Sequence, residues 1–106
     1  MPDRLWTVQT VETIRRVHAA TGMLVDPHTA VGLGVVERIR ASLHGPVVTM
    51  ATAHPAKFPD AVERATGIRP QLPPRLADLL DRPEFMTELP NDLAAVEKFV
   101  EARVLR

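Results

Sequence analysis

The residues best suited to chemistry lie close together in the chain, where Thr52, His54 and Lys57 follow one another within a short stretch. A threonine hydroxyl donates or accepts a hydrogen bond, an imidazole donates a hydrogen bond or moves a proton, and an ammonium supplies a point charge. His54 precedes a proline, which restricts its backbone, so a histidine that bonds the turn backbone is the alternative to a functional one. For Lys57 the alternative is a solvated charge in a loop.

A second group of polar residues lies upstream, at Asp26 and His28. An aspartate followed by proline is typical of a helix start, because the carboxylate accepts free backbone N–H groups and Pro27 has none to leave unpaired. The pattern therefore predicts that Asp26 caps a helix. His28, in the first turn of that helix, either contacts a ligand or only helps the helix to begin.

Helices must position these residues. Apolar residues at helical spacing predict a largely buried helix from Pro27 to Leu43. Gly32 and Gly34 inside it each cost about 1 kcal/mol relative to alanine, which indicates close packing against another backbone or a tolerated inefficiency. The same spacing predicts four further helices: over Thr10–Thr21 before Gly22, over Pro59–Ala65 before Gly67, a short one around Leu76–Leu80, and one after a cap at Asn91-Asp92.

The segment Val47–Thr52 has a different pattern. It is uncharged, rich in β-branched residues and bounded by Gly45-Pro46 and Pro55, which predicts a strand buried on both faces. A single strand leaves buried backbone groups unpaired, at on the order of 1–3 kcal/mol each, so its partners must come from a second copy or from a longer chain. The fold class predicted is therefore an α/β fragment, mostly helical, whose one strand belongs to a larger parallel sheet. The alternative is a buried helix or an extended loop.

Composition excludes several classes of function. The chain has 106 residues, with 13 Lys+Arg against 13 Asp+Glu and no cysteine. Zero net charge argues against nucleic-acid binding, and the absence of cysteine excludes disulfides and thiolate metal sites. The four histidines lack the spacing of a metal site, and no apolar stretch approaches the roughly 20 residues of a membrane helix. A cytoplasmic location is the expectation.

Two heptapeptides carry a specific resemblance. Residues 52–58, Thr-Ala-His-Pro-Ala-Lys-Phe, and residues 26–32, Asp-Pro-His-Thr-Ala-Val-Gly, resemble segments that occur in the same order and at the same separation in threonine synthases. The resemblance extends from about Thr10 to the final helix, whereas residues 1–7 are atypical. It identifies residues 1–106 as a single C-terminal segment of a threonine-synthase-like enzyme.

The resemblance implies a pyridoxal-phosphate enzyme of the tryptophan-synthase-β type of fold, a lyase that converts O-phospho-L-homoserine and water to L-threonine and phosphate. It places the cofactor's Schiff-base lysine and phosphate loop outside this chain, so no catalytic residue, no covalent cofactor and no activity of the chain alone are expected. It implies that Thr52 contacts the pyridine nitrogen. Lys57, His54 and His28 are candidate contacts of the phosphorylated amino-acid substrate, a hypothesis that rests on the chemistry of their side chains and their place in the two peptides. The partners expected are the rest of the enzyme or a second copy. The alternative is a non-catalytic module that binds itself or another chain.

Overall fold

A computed structural model describes the backbone of residues 2–104 and the side chains of residues 8–104. Four α-helices follow one another along the chain, α1 (Pro2–Thr21), α2 (Pro27–Ile39), α3 (Pro59–Thr66) and α4 (Leu93–Val104). Four short 3₁₀ turns lie between them, at Arg40–Ser42, Pro55–Lys57, Pro74–Leu76 and Leu79–Asp81. The chain divides into two compact units, Met1–Pro74 and Arg75–Arg106.

The first unit is built around a small apolar core where α1 packs against α2 and α3. Ile14 of α1 and Val62 of α3 are completely buried, and Ala30 of α2 is 1% exposed. Burying a side chain of this size stabilises the fold by roughly 1.5–3 kcal/mol. Arg15 adds a link, because its Nε donates to the carbonyl of Ala65 at 3.2 Å, near the end of α3.

Helix ends follow the local chemistry that the sequence predicts. Gly22 and Gly67 have φ angles of +74° and +73°, a region that glycine enters without a steric penalty. Each donates its N–H to a carbonyl four residues back, Gly67 to Glu63 at 2.7 Å. Asp26 caps α2, and Asp92 caps α4 by accepting from the N–H of Ala94 at 2.9 Å. These predictions are confirmed, although α1 begins well before Thr10.

Helix α2 is shorter and less buried than predicted, since it gives way to the 3₁₀ turn at Arg40. Of its residues only Thr29 and Ala30 are buried. The two glycines do mark close packing, but against side chains rather than backbone. A Cβ at Gly32 would lie 2.9 Å from Thr49 Cγ2, and one at Gly34 would lie 3.4 Å from Thr13 Oγ1.

The predicted strand at Val47–Thr52 is wrong. The described part of the chain contains no strand, so the fold class is all-α there and not α/β. The physical reason is twofold: the segment forms no hydrogen-bonded ladder within the described residues, and it is not buried on two faces, since Val48 and Met50 are 80% and 72% exposed. Residues 44–53 form no backbone hydrogen bond with any described residue. Without a buried strand, there are no unpaired strand edges that would require a second copy of the chain.

The second unit has little interior. None of its described residues is buried, and Phe85 is 95% exposed. Local contacts dominate: Arg82 makes a two-pronged ion pair with Asp78 at 2.6 and 3.0 Å, and the guanidinium of Arg103 lies 3.4 Å from the ring centroid of Phe99. Among the described residues, no helix has the length and hydropathy to cross a bilayer.

Candidate functional site

The start of α2 is organised by the Asp26 carboxylate, which is fully buried. Its Oδ2 accepts from the backbone N–H of His28 at 2.9 Å, and its Oδ1 accepts from the backbone N–H of Thr29 at 3.2 Å and from the Thr29 hydroxyl. Burial alone would raise the pKa of Asp26, but the hydrogen bonds from Thr29 and His28 outweigh it and lower the pKa. The carboxylate is thus held ionised inside the protein.

His28 connects this buried charge to the surface. Its Nδ1 lies 3.0 Å from Asp26 Oδ2, while 62% of its side chain is exposed. Its ring packs against the ring of Phe58 with centroids 4.9 Å apart and planes tilted by 54°. The carboxylate and the aromatic ring together restrict the rotation of the imidazole, so that Nδ1 faces Asp26 and the Nε2 edge faces solvent.

The 3₁₀ turn Pro55–Lys57 presents the other predicted polar residues. His54 caps this turn, because its Nδ1 accepts from the N–H of Ala56 at 3.1 Å, so it does bond the turn backbone while its Nε2 edge takes no part in that bond. Lys57 is exposed, and its Nζ lies 5.8 Å from the ring centroid of Phe58, within the range of a cation–π interaction. Phe58 therefore contacts both Lys57 and His28.

A cleft of about 480 Å³ lies between the start of α2 and the extended segment. Thr29 and Leu33 line one side, and Thr49, Ala51 and Ala53 line the other. Alternate residues of an extended chain point to opposite sides, so Val48, Met50 and Thr52 point away from the cleft and are exposed.

The structure places His28 and Lys57 against one aromatic ring, with His54 at the start of the same turn. It does not place Thr52 in the cleft. No hydrogen bond of the Thr52 hydroxyl is found within the described residues, and those residues contain no metal-binding group of three or more His, Asp or Glu side chains. The sequence prediction missed Phe58 as the contact between the two peptides. The one sequence feature that pointed to this contact is that residues 52–58 end in an aromatic residue, which is suited to packing.

A second cleft of about 350 Å³ lies between α1 and α2. It is bridged by the ion pair between Arg16 and Glu37 and by a hydrogen bond from Arg38 to Gln9 at 2.8 Å. None of the predicted site residues lines it.

Comparison with known proteins points to one family. Residues 29–100 match the family described as "Threonine synthase, C-terminal". Threonine synthase from Pseudomonas aeruginosa is 54% identical over 93 residues, which cover 87% of this chain and 20% of that protein. The Corynebacterium glutamicum threonine synthase is 40% identical over 90 residues, which cover 85% of this chain and 19% of that protein.

A solved structure of the same family also matches this chain. The crystal structure of threonine synthase from Brucella melitensis with PLP bound superposes with a TM-score of 0.66 at 47% identity, over 91% of this chain and 20% of that one. The chain spans about a fifth of the length of these relatives. On the match over residues 29–100, the chain belongs to the threonine synthase family and corresponds to its C-terminal part.

Proposed function

We propose that this chain forms one side of a threonine synthase active site, in an enzyme that converts O-phospho-L-homoserine and water to L-threonine and phosphate. The observation that carries the proposal is that the two peptides of the family resemblance meet in space. Phe58 of the second peptide packs on His28 of the first, at 4.9 Å between ring centroids. Both peptides therefore contribute to one surface, which is where a shared ligand would be bound.

The residues present fit part of a pyridoxal phosphate site. Thr52 has an exposed hydroxyl that is available to hydrogen-bond the pyridine nitrogen. Gly32 and Gly34 lie inside α2 and do not form a phosphate-binding loop. When bound, the cofactor supplies an electron sink. The role of this chain is to hold the ring nitrogen through Thr52, while the lysine and phosphate loop come from the rest of the enzyme.

The 3₁₀ turn fits the phosphate of the substrate. Lys57 carries a positive charge on an exposed side chain, held over the Phe58 ring. His54 uses Nδ1 to accept from the turn backbone, so its neutral ring carries the proton on Nε2 and donates outward. One point charge and one N–H donor on the same turn suit a phosphate monoester. His28 contributes a further polar contact from the start of α2.

The test is a chimaera in which this chain replaces the matching fifth of the Pseudomonas aeruginosa enzyme. We expect the cofactor-loaded chimaera to release phosphate from O-phosphohomoserine. Thr52→Val should change the absorbance spectrum of the cofactor and lower turnover, whereas the control Thr52→Ser, which keeps the hydroxyl, should change neither by much. A loaded chimaera that releases no phosphate contradicts the proposed function. An unchanged spectrum and turnover in Thr52→Val contradict the role of Thr52 alone.

A further inference from the structure

The pairing of Asp26 with His28 does more than begin a helix. A helix cap needs only the backbone N–H bonds, which Asp26 accepts from His28 and Thr29 at 2.9 and 3.2 Å. The same buried carboxylate also contacts the His28 ring, at 3.0 Å from Nδ1. An ionised carboxylate accepts hydrogen bonds and cannot donate them, so the proton between these atoms lies on Nδ1. In the neutral ring, Nε2 is then left without a proton.

His54 shows the opposite arrangement. Its Nδ1 accepts from the Ala56 N–H at 3.1 Å, which requires Nδ1 to be unprotonated and Nε2 to carry the proton. Both rings are exposed. The site therefore presents two histidines in different tautomers, with a hydrogen-bond donor at Nε2 of His54 and an acceptor at Nε2 of His28.

We propose that Asp26 is a positioning residue that holds His28 in the Nδ1–H tautomer against Phe58, so that Nε2 accepts a hydrogen bond or a proton from a protic group of the substrate or its water. The tautomer stands on the geometry alone, and the contact with substrate rests on the proposed function. If a proton moves, it passes from the oxygen or nitrogen of the ligand to Nε2. The ligand keeps the electron pair, and the ring becomes an imidazolium whose Nδ1–H still donates to Asp26.

The charges around His28 support this assignment. Asp26 faces the ring directly, and its lowered pKa, set by hydrogen bonds that outweigh burial, keeps it ionised at neutral pH. The charge of Lys57 lies over the Phe58 ring, at 5.8 Å from its centroid, and Phe58 in turn packs on the His28 ring. A buried anion beside Nδ1 keeps the proton on that nitrogen and fixes the orientation of the ring, as the aspartate does in Asp–His pairs of hydrolases.

The tautomer can be observed in the 106-residue chain by long-range ¹H–¹⁵N correlation of ¹⁵N-histidine-labelled protein above neutral pH. We expect a protonated Nδ1 for His28 and a protonated Nε2 for His54, which serves as the internal reference. Asp26→Asn should convert His28 largely to the Nε2–H tautomer, because the amide replaces an oxygen acceptor. Thr29→Val is the matched control: it removes another bond to the carboxylate but leaves the one to His28, and the tautomer should not change. A wild-type His28 with Nε2 protonated, or a tautomer insensitive to Asp26→Asn, overturns the positioning role.

The chimaera then tests the contact with substrate. Loss of a partner that orients a functional histidine typically reduces activity 10–100-fold, and we expect about this loss in kcat/KM from Asp26→Asn. Asp92→Asn alters a helix cap that the proposed site does not use and should stay within about 2-fold, so an equal loss in both variants would overturn the proposal by showing that only stability matters. An active chimaera whose kcat/KM is unaffected by both Asp26→Asn and His28→Asn overturns the substrate contact and leaves the proposed function standing.

Discussion

The contact between Gly32 and Thr49 leads to a prediction about how the extended segment is held on α2. A Cβ built on Gly32 would lie 2.9 Å from Thr49 Cγ2, a separation that real Cβ atoms do not show. A Cβ on Gly34, two residues further along the same helix, would lie 3.4 Å from Thr13 Oγ1, which is an ordinary van der Waals contact. Alanine at these two positions therefore has the same benefit for the helix but a different effect on packing.

The magnitudes follow from these distances. Replacing glycine by alanine inside a helix is worth roughly 0.8–1.0 kcal/mol. Gly34→Ala should keep most of that gain. Gly32→Ala must push Thr49 aside, and overpacking typically costs about 1–3 kcal/mol. We expect Gly32→Ala to be neutral or destabilising by up to about 2 kcal/mol, and Thr49→Ser, which removes the obstructing methyl, to restore the gain.

Urea unfolding followed by helical circular dichroism measures five proteins: the wild type, Gly34→Ala, Gly32→Ala, Thr49→Ser and the Gly32→Ala/Thr49→Ser double variant. With slopes of about 1–3 kcal/mol/M, a difference of about 0.8 kcal/mol or more between the two glycine variants should separate their midpoints by at least about 0.3 M. The double-mutant cycle should give a coupling of about 0.5–3 kcal/mol, as for residues in contact. If Gly32→Ala stabilises the protein as much as Gly34→Ala does, the segment is not packed on α2 at Thr49.

Three further predictions concern charge and the cofactor. Because folding lowers the pKa of Asp26, its contribution to stability is full above the unfolded pKa of about 3.9 and is lost as pH falls through the lower folded pKa. The urea midpoints of wild type and Asp26→Asn, plotted against pH, should therefore converge below about pH 4. Midpoints that keep the same separation at every pH would contradict this. Lys57→Ala in the chimaera should raise the KM for O-phosphohomoserine about 10-fold with a smaller change in kcat, since it removes a charge that binds the phosphate; an unchanged KM would rule out that role. Pyridoxal phosphate and borohydride added to the 106-residue chain should give no stoichiometric label at Lys57 or Lys98 by peptide mass spectrometry, and specific labelling of either lysine would refute the assignment of the cofactor's lysine to another part of the enzyme.

The parts of the fold that depend on local chemistry were predictable from the sequence. The Asp26 cap and the glycine at the end of α3 follow from the hydrogen bonds that a carboxylate offers and the φ angles that glycine reaches. The strand prediction failed because β-branched residues indicate only a preference for extended backbone. A strand also needs a neighbouring strand, and residues 47–52 have none among the described residues.

The candidate site was predictable as a set of residues but not as an arrangement. The motifs selected His28, His54 and Lys57, and the proline after His54 indicated that this histidine bonds its own turn. The packing of Phe58 on His28 joins residues 30 positions apart, and no local pattern determines such a contact. The bond from Asp26 to the imidazole depends on the ring's rotamer, which packing decides.

The lack of backbone hydrogen bonds in residues 44–53 has a consequence for amide exchange with solvent. The amides of His28 and Thr29 donate to a buried carboxylate and exchange only when the start of α2 opens. The amides of the segment that carries Thr52 have no such hydrogen bond within the described chain, so we expect them to exchange much faster. A ligand or protein surface that covers both sides would therefore slow both sets of amides, by direct cover over residues 44–53 and by stabilising the closed start of α2 at His28 and Thr29.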